Sequence, residues 1–214
     1  MKTNPELIIF DCDGVLVDSE PIANRVLAEE LTKMGLPTSY EESIREYMGK
    51  SEADETRLIT KKFGQPPPET FFERCARRTY RAFEKELRPI PGIEEALRSI
   101  SSKMCVASSG HHEKIRKTLG LTGLTPFFGE SIFSATDVTR GKPFPDLFLH
   151  AAKSLGVTPE HCAVVEDSVP GVQAAKAAKM VVFGYVALSS ADQLRQAGAH
   201  LFNSMEELPK LLGF

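Results

Sequence analysis

Four apolar residues, Leu7-Ile8-Ile9-Phe10, run directly into Asp11-Cys12-Asp13-Gly14. The run suits a buried strand and is too short for a stable helix. A strand that ends in two closely spaced carboxylates concentrates negative charge where backbone and water reach it. Such a pair can divide roles, one as nucleophile or metal ligand and the other as proton carrier. Asp and Gly are also common turn residues, so the tetrapeptide alone is compatible with a solvated turn.

Three further apolar runs end in polar residues of distinct types. Met104-Cys105-Val106-Ala107 enters Ser108-Ser109-Gly110. Ser131-Ile132-Phe133-Ser134-Ala135 leads through Thr136-Asp137 to Arg140-Gly141-Lys142-Pro143. Cys162-Ala163-Val164-Val165 enters Glu166-Asp167-Ser168. Helical patterns separate these runs. Strands alternating with helices predict an α/β fold, a Rossmann-like parallel sheet with helices on both faces. Groups beyond the carboxyl ends of such strands share one crevice. Carboxylates, hydroxyls and one lysine gathered there suit Mg²⁺ and a phosphoryl group.

The ordered set Asp-x-Asp-Gly, Ser, Lys-Pro and Glu-Asp resembles the haloacid dehalogenase superfamily of hydrolases. The stretch Phe10-Asp11-Cys12-Asp13-Gly14-Val15-Leu16-Val17-Asp18-Ser19-Glu20 looks like the branch of sugar-phosphate phosphatases and β-phosphoglucomutases. The motifs span positions 10 to 168.

Ninety-five positions separate Asp13 from Ser108, far more than one crossover helix needs. Apolar residues at 22, 26, 27, 31 and 34 form one helical face, and Gly35 is a plausible stop. Segments 40–48, 51–63 and 69–86 also read as helices, with Pro66-Pro67-Pro68 breaking the last two apart. Residues 18–87 are therefore expected to form a small helical cap, between core segments 1–17 and 88–214. Two hinges, near residues 17–19 and 87–89, would let it close over the site. The resemblance implies a helical cap at the same place. Core helices are expected near 93–100, 112–119, 144–155, 169–178, 190–196 and 204–212, and late strands at 180–184 and 200–202.

Asp11 is the expected nucleophile, ionised at neutral pH on its ordinary value. Attack on phosphorus would form an aspartyl-phosphate and divide one hard displacement into two easier ones. Asp13 would protonate the departing oxygen and later take a proton from water. The resemblance implies the same roles; family dehalogenases lack the second Asp, and related ion-pumping ATPases carry Thr there. Glu166 and Asp167 are a second source of metal ligands, and equally an acidic helix start before Ser168 and Pro170. By resemblance Asp11, Asp167 and the main-chain carbonyl of Asp13 form the inner shell of Mg²⁺, with Glu166 bound directly or through water. Lys142 would pair with Asp11 and with phosphoryl oxygens. Ser108 offers a hydroxyl, and Ser109 and Gly110 offer backbone N–H groups at a helix start. His111 and His112 do not share a helix face, which argues against joint metal ligation.

A formal net charge of −3 gives no electrostatic case for nucleic acid. No apolar run approaches the roughly 20 residues that span a bilayer. Residues 1–6 carry no secretory apolar core. The four cysteines, Cys12, Cys75, Cys105 and Cys162, show no Cys-x-x-Cys spacing, and three sit in or beside core strands. Reduced buried thiols and a cytoplasmic protein, monomeric or weakly dimeric, are expected.

A small phosphomonoester is the expected substrate. Counted without gaps from the first motif, β-phosphoglucomutases have His where this chain has Ala23 and Arg where it has Glu52. Glu52 would repel the second phosphate of a bisphosphate intermediate, although Lys50 is near. Hydrolysis is favoured, a phosphosugar mutase is the alternative, and a non-catalytic phospho-acceptor is a third. The insertion argues against the last. Asn24, the loop Gly49-Lys50-Ser51-Glu52 and the loop at His111 and His112 are expected to face the leaving group. Their hydrogen-bonding, mixed-charge side chains suit a sugar or sugar-acid phosphate, with Lys50 on a carboxylate.

Overall fold

The computed structural model describes residues 5–186 and 189–214. The N-terminal expectation for residues 1–4 therefore lies outside the described residues. The chain divides into two compact units, Met1–Asp18 with Arg88–Phe214, and Ser19–Leu87.

In the first unit β1 (Leu7–Phe10) is buried at every position. The chain leaves this unit after Asp18 and returns at Arg88. Asp18 N donates to Arg88 O at 3.0 Å, and Val17 bridges Pro89. The second unit holds α1 (Glu20–Lys33), α2 (Tyr40–Tyr47), α3 (Glu52–Phe63) and α4 (Phe71–Glu86). Its core is Leu27, Leu31, Tyr47, Ile59 and Phe71. Ser39 and Glu42 form a reciprocal capping box at the start of α2, and Ser51 caps α3. Glu30, buried on α1, accepts from Arg78 at 2.6 Å and Arg74 at 3.3 Å on α4. These bonds outweigh its desolvation and hold its carboxyl below the usual range.

After the return come α5 (Ile93–Ser99), β2 (Lys103–Ser108), α6 (His112–Leu121), α7 (Thr125–Phe128), β3 (Ile132–Ser134) and α8 (Asp146–Ser154). Then follow β4 (Cys162–Glu166), α9 (Val169–Ala177), β5 (Val181–Tyr185), α10 (Ala191–Ala197), β6 (His200–Phe202) and α11 (Leu208–Leu212). The strands form one parallel sheet in the order β3-β2-β1-β4-β5-β6. Leu7, Ile9, Cys105, Ala107 and Val164 pack on Phe148, Ala151, Val172 and Ala175 of α8 and α9. The alternate residues, Ile8, Phe10, Val106 and Val165, are buried too. On that side Phe10 meets Phe128 of α7 edge-on at 5.9 Å between ring centres. Two covered faces explain why the strands read as unbroken apolar runs.

The helix after Lys142 begins at Asp146, two residues later than expected. Arg140 makes a two-toothed ion pair with Asp146 and stacks over Phe144 at 4.6 Å, which holds the segment as a loop. The short α7 is not among the expected helices. All four cysteines are free, and Cys12, Cys105 and Cys162 are buried. No helix among the described residues is long and apolar enough to cross a membrane.

Candidate active site

In the strand order 3-2-1-4-5-6 the connections depart in opposite directions on either side of β1, which opens a crevice beyond the carboxyl ends of the strands. Asp11 is the first residue past β1, with its N–H on Val165 O of β4 at 2.9 Å. Ser108 ends β2 and Glu166 ends β4. Lys142 lies on the loop between β3 and α8, before a cis Lys142–Pro143 bond.

The loop after β1 folds back on itself. Gly14 N donates to Val17 O, and Leu16 N to Cys12 O, both at 2.9 Å. Gly14 has φ of +77°, a conformation natural to glycine. Cys12 turns inward and its Sγ lies 3.6 Å from Thr118 Oγ1. Burial pushes its thiol far above the ordinary value, so it stays neutral. Asp13 is partly exposed, with 19% of its side chain open to solvent.

Lys142 joins two carboxylates. Its Nζ donates to Asp11 Oδ1 at 2.5 Å and to Glu166 Oε1 at 2.6 Å. Side-chain exposure is 4% for Lys142, 11% for Asp11 and 0% for Glu166, so this triad is largely screened from water. Burial opposes the lysine charge, yet the two carboxylates outweigh it and hold the ammonium above its ordinary value. Asp11 differs from the expectation of ordinary ionisation. Burial, only partly offset by Lys142 and reinforced by Glu166 and Asp13, pushes its carboxyl up to about 7. Further positive charge beside Asp11 would favour the ionised form.

Asp11, Glu166 and Asp167 each bring a carboxylate oxygen within 4.8 Å of the others. Clustered hard oxygen donors fit Mg²⁺, which takes one or two carboxylates and keeps the remaining positions for water and phosphate. Glu166 is already committed. Its Oε2 accepts from Asp167 N at 2.9 Å, Ser168 N at 2.8 Å and Ser168 Oγ at 2.9 Å. Ser168 in turn caps α9 by accepting from Gly171 N. Glu166 therefore orients Lys142 and the start of α9, and with Asp11 and Asp167 it belongs to the carboxylate cluster that suits a cation. The side chain of Asp13 is not in the cluster; its Oδ2 accepts from Lys114 Nζ at 2.7 Å. Its expected part as a ligand rests on the main-chain carbonyl.

Ser108 is buried and its Oγ accepts from Gly110 N at 3.1 Å, while Ser109 is exposed. Ser134, at the end of β3, donates to Gly110 O at 2.7 Å and fixes the same loop. His111 stands at the N-cap position of α6 without a side-chain cap bond, and His112 Nε2 lies 2.8 Å from Asp137 Oδ1. That pair ties the start of α6 to the turn after β3. Lys50 and Glu52 are exposed residues of the helical unit. Asn24 is buried, with its amide engaged by Glu20 and Ser43, so its expected contact with substrate is not retained. Lys114 and Ser134 were not among the expected site residues. Lys114 does carry one signal in the sequence: it is a cation in the first turn of a helix, where the dipole disfavours one.

Two carboxylates past the end of the first strand, a lysine bridge and the Asp167 carboxylate thus stand together at the carboxyl edge of a parallel sheet, the arrangement of an α/β hydrolase. The family model for haloacid dehalogenase-like hydrolases matches residues 5–179, and the chain belongs to that family. A 6-phosphogluconate phosphatase of Escherichia coli is 32% identical over 96% of this chain and 94% of its own. A phosphorylated carbohydrates phosphatase of Thermotoga maritima is 32% identical over 97% of this chain and 98% of its own. A solved haloacid dehalogenase-like protein from Agrobacterium tumefaciens superposes with a TM-score of 0.89 at 35% identity, over 97% of both chains. The chain stands in the sugar-phosphate phosphatase branch and is a phosphoric monoester hydrolase.

Proposed function

We propose that this protein hydrolyses a sugar or sugar-acid phosphate through an aspartyl-phosphate on Asp11. The observation that carries the proposal is the Lys142 bridge between Asp11 and Glu166, beside the Asp167 carboxylate. Asp11 attacks phosphorus while Asp13 gives a proton to the departing oxygen. Water then attacks the aspartyl-phosphate, Asp13 takes its proton, and Asp11 is released. Lys142 holds Asp11 in line and meets charge on the phosphoryl oxygens. Ser108, with the N–H groups of Ser109 and Gly110, holds those oxygens. Asp11, Asp167 and the Asp13 carbonyl would hold Mg²⁺, which supplies charge neutralisation between carboxylates and phosphate.

The relatives that act on 6-phosphogluconate and on phosphorylated carbohydrates support the substrate class. We assign the helical unit Ser19–Leu87 the role of cap and Lys50 that of partner to a substrate carboxylate. A panel of phosphorylated metabolites, assayed for phosphate release with Mg²⁺ and with chelator, tests the proposal. Sugar phosphates are expected to give the highest kcat/KM, with turnover lost in chelator and in Asp11→Asn. Full turnover in excess chelator, or in folded Asp11→Asn, would refute the mechanism. A much higher kcat/KM on a nucleoside monophosphate or hydrophobic ester would refute the substrate class. Activation by a sugar bisphosphate would identify a mutase instead.

A further inference from the structure

Lys114 Nζ donates to Asp13 Oδ2 at 2.7 Å across 101 positions of sequence. Lys114 lies in the first turn of α6, where the helix dipole disfavours a cation. Its pairing with Asp13 compensates that placement. The lysine stem crosses Gly110: a Cβ there would stand 3.3 Å from Lys114 Cδ and 3.5 Å from Ser108 Oγ. Gly110 is not among the positive-φ glycines, so it supplies room for the stem more than backbone freedom. One turn later Thr118 meets Cys12, and its hydroxyl also bonds to Lys114 O at 3.1 Å. Neighbouring residues on one face of α6 thus hold Cys12 and Asp13 together.

The geometry points to Lys114 as a positioning residue for Asp13, a role that rests on the proton-carrying function proposed above. A donor fixed on Oδ2 sets the rotation of the carboxylate, and with it the direction in which Oδ1 faces. The orientation matters at the step where the ester P–O bond breaks and the leaving oxygen takes a proton from Asp13. It matters again when water loses a proton to Asp13 as its oxygen bonds to phosphorus and the Asp11–phosphorus bond breaks.

Leaving-group dependence tests this role. An alkyl ester such as glucose 6-phosphate needs the proton, whereas p-nitrophenolate departs without one. In Lys114→Met, kcat/KM on glucose 6-phosphate, which covers the steps up to departure of the alcohol, is expected to fall roughly 10-fold or more, with kcat/KM on p-nitrophenyl phosphate changed by less than about threefold. The value of kcat, which includes the shared water step, is expected to fall on both esters. Asp13→Asn should show the same split, and the double variant should be no slower than Asp13→Asn alone. Equal losses of kcat/KM on both esters, or additive losses in the double variant, would overturn the role of Lys114. So would a loss confined to KM for 6-phosphogluconate, which would make Lys114 a direct contact for the substrate carboxylate. If Asp13→Asn itself shows no split, the proton-carrying function falls and the Lys114 role with it. A normal Asp13→Asn split beside an even loss of kcat/KM in Lys114→Met rejects Lys114 alone. Lys114→Gln carries the same comparison if Lys114→Met does not fold.

Discussion

Gly14 leaves the space that the Asp167 carboxylate fills. A Cβ on Gly14 would stand 2.8 Å from Asp167 Cγ and closer still to Oδ2. The glycine also sits at φ +77°, where other residues are strained by about 1–3 kcal/mol. Gly14→Ala should therefore lower the melting temperature and turn Asp167 away from the cation site. Mg²⁺ affinity, measured by calorimetric titration, is expected to fall about 10-fold or more, the scale on which supporting residues act at metal sites. Unchanged affinity would remove Asp167 from the ligand set.

Gly171 stands in the same relation to Glu166. A Cβ on Gly171 would overlap the Glu166 carboxylate, which is fixed by Lys142 and Ser168. In a helix, replacing Gly by Ala ordinarily stabilises by about 0.5–1 kcal/mol. Here the clash reverses the sign. Gly171→Ala is expected to lose about 1–3 kcal/mol in urea unfolding, the usual scale of overpacking. A gain would mean that Glu166 shifts at little cost and does not anchor Lys142.

The sheet and the site's acidic, hydroxyl and lysine residues were legible because strand ends and chemistry coincide. Each apolar run stops at a polar group, and Asp11, Ser108 and Glu166 all stand at such stops. Contacts that depend on side-chain reach were not legible. Lys114 offers only its unfavourable place in a first helical turn, and its partner Asp13 emerges when α6 is docked beside the first loop. Asn24 reads as a polar contact for substrate, but Ser43 and Glu20 engage it inside the helical unit. The short α7 carries too little periodicity to register, and Pro126 in its first turn reads as a breaker. The upward shift of the Asp11 carboxyl follows from burial, reinforced by Glu166, which chain order does not reveal.

Glu55, on α3, gives a pH dependence independent of the phosphate chemistry. Burial, together with repulsion from Glu52 and Glu20 and relief from Lys50, pushes its carboxyl up to about 8 from an ordinary 4.5. A carboxyl raised in the folded state binds its proton more tightly there than in the unfolded chain. Its contribution is therefore fully present below about pH 4.5 and lost as pH rises through about 8. Glu55→Gln keeps a neutral side chain throughout. Its stability relative to wild type should climb across that window, reaching on the order of 2 kcal/mol by pH 9 after allowance for partial solvation. Thermal unfolding from pH 4 to 9 measures it, and a flat difference would show that Glu55 ionises normally.

Lys142 binds the two halves of the site, and its removal should cost stability as well as turnover. In Lys142→Met the buried Asp11 and Glu166 carboxylates lose their shared cation. Breaking a buried pair from one side costs about 3–5 kcal/mol, because the remaining charge is uncompensated. The loss should depend on pH in a definite direction. Without Lys142 the Asp11 carboxyl, already pushed up to about 7, rises further, so the folded variant holds a proton that the unfolded chain gives up. The deficit should accordingly be smaller at pH 5 than at pH 8 in denaturant titrations made with chelator. Asp11→Asn in the Lys142→Met background removes the charge that lacks a partner and should recover part of the stability without restoring activity. Lys142→Met alone is expected to lose at least about 100-fold in kcat, the scale for losing one oriented donor to a developing oxyanion. Wild-type stability of Lys142→Met at pH 8 would show that the bridge does not hold the site together.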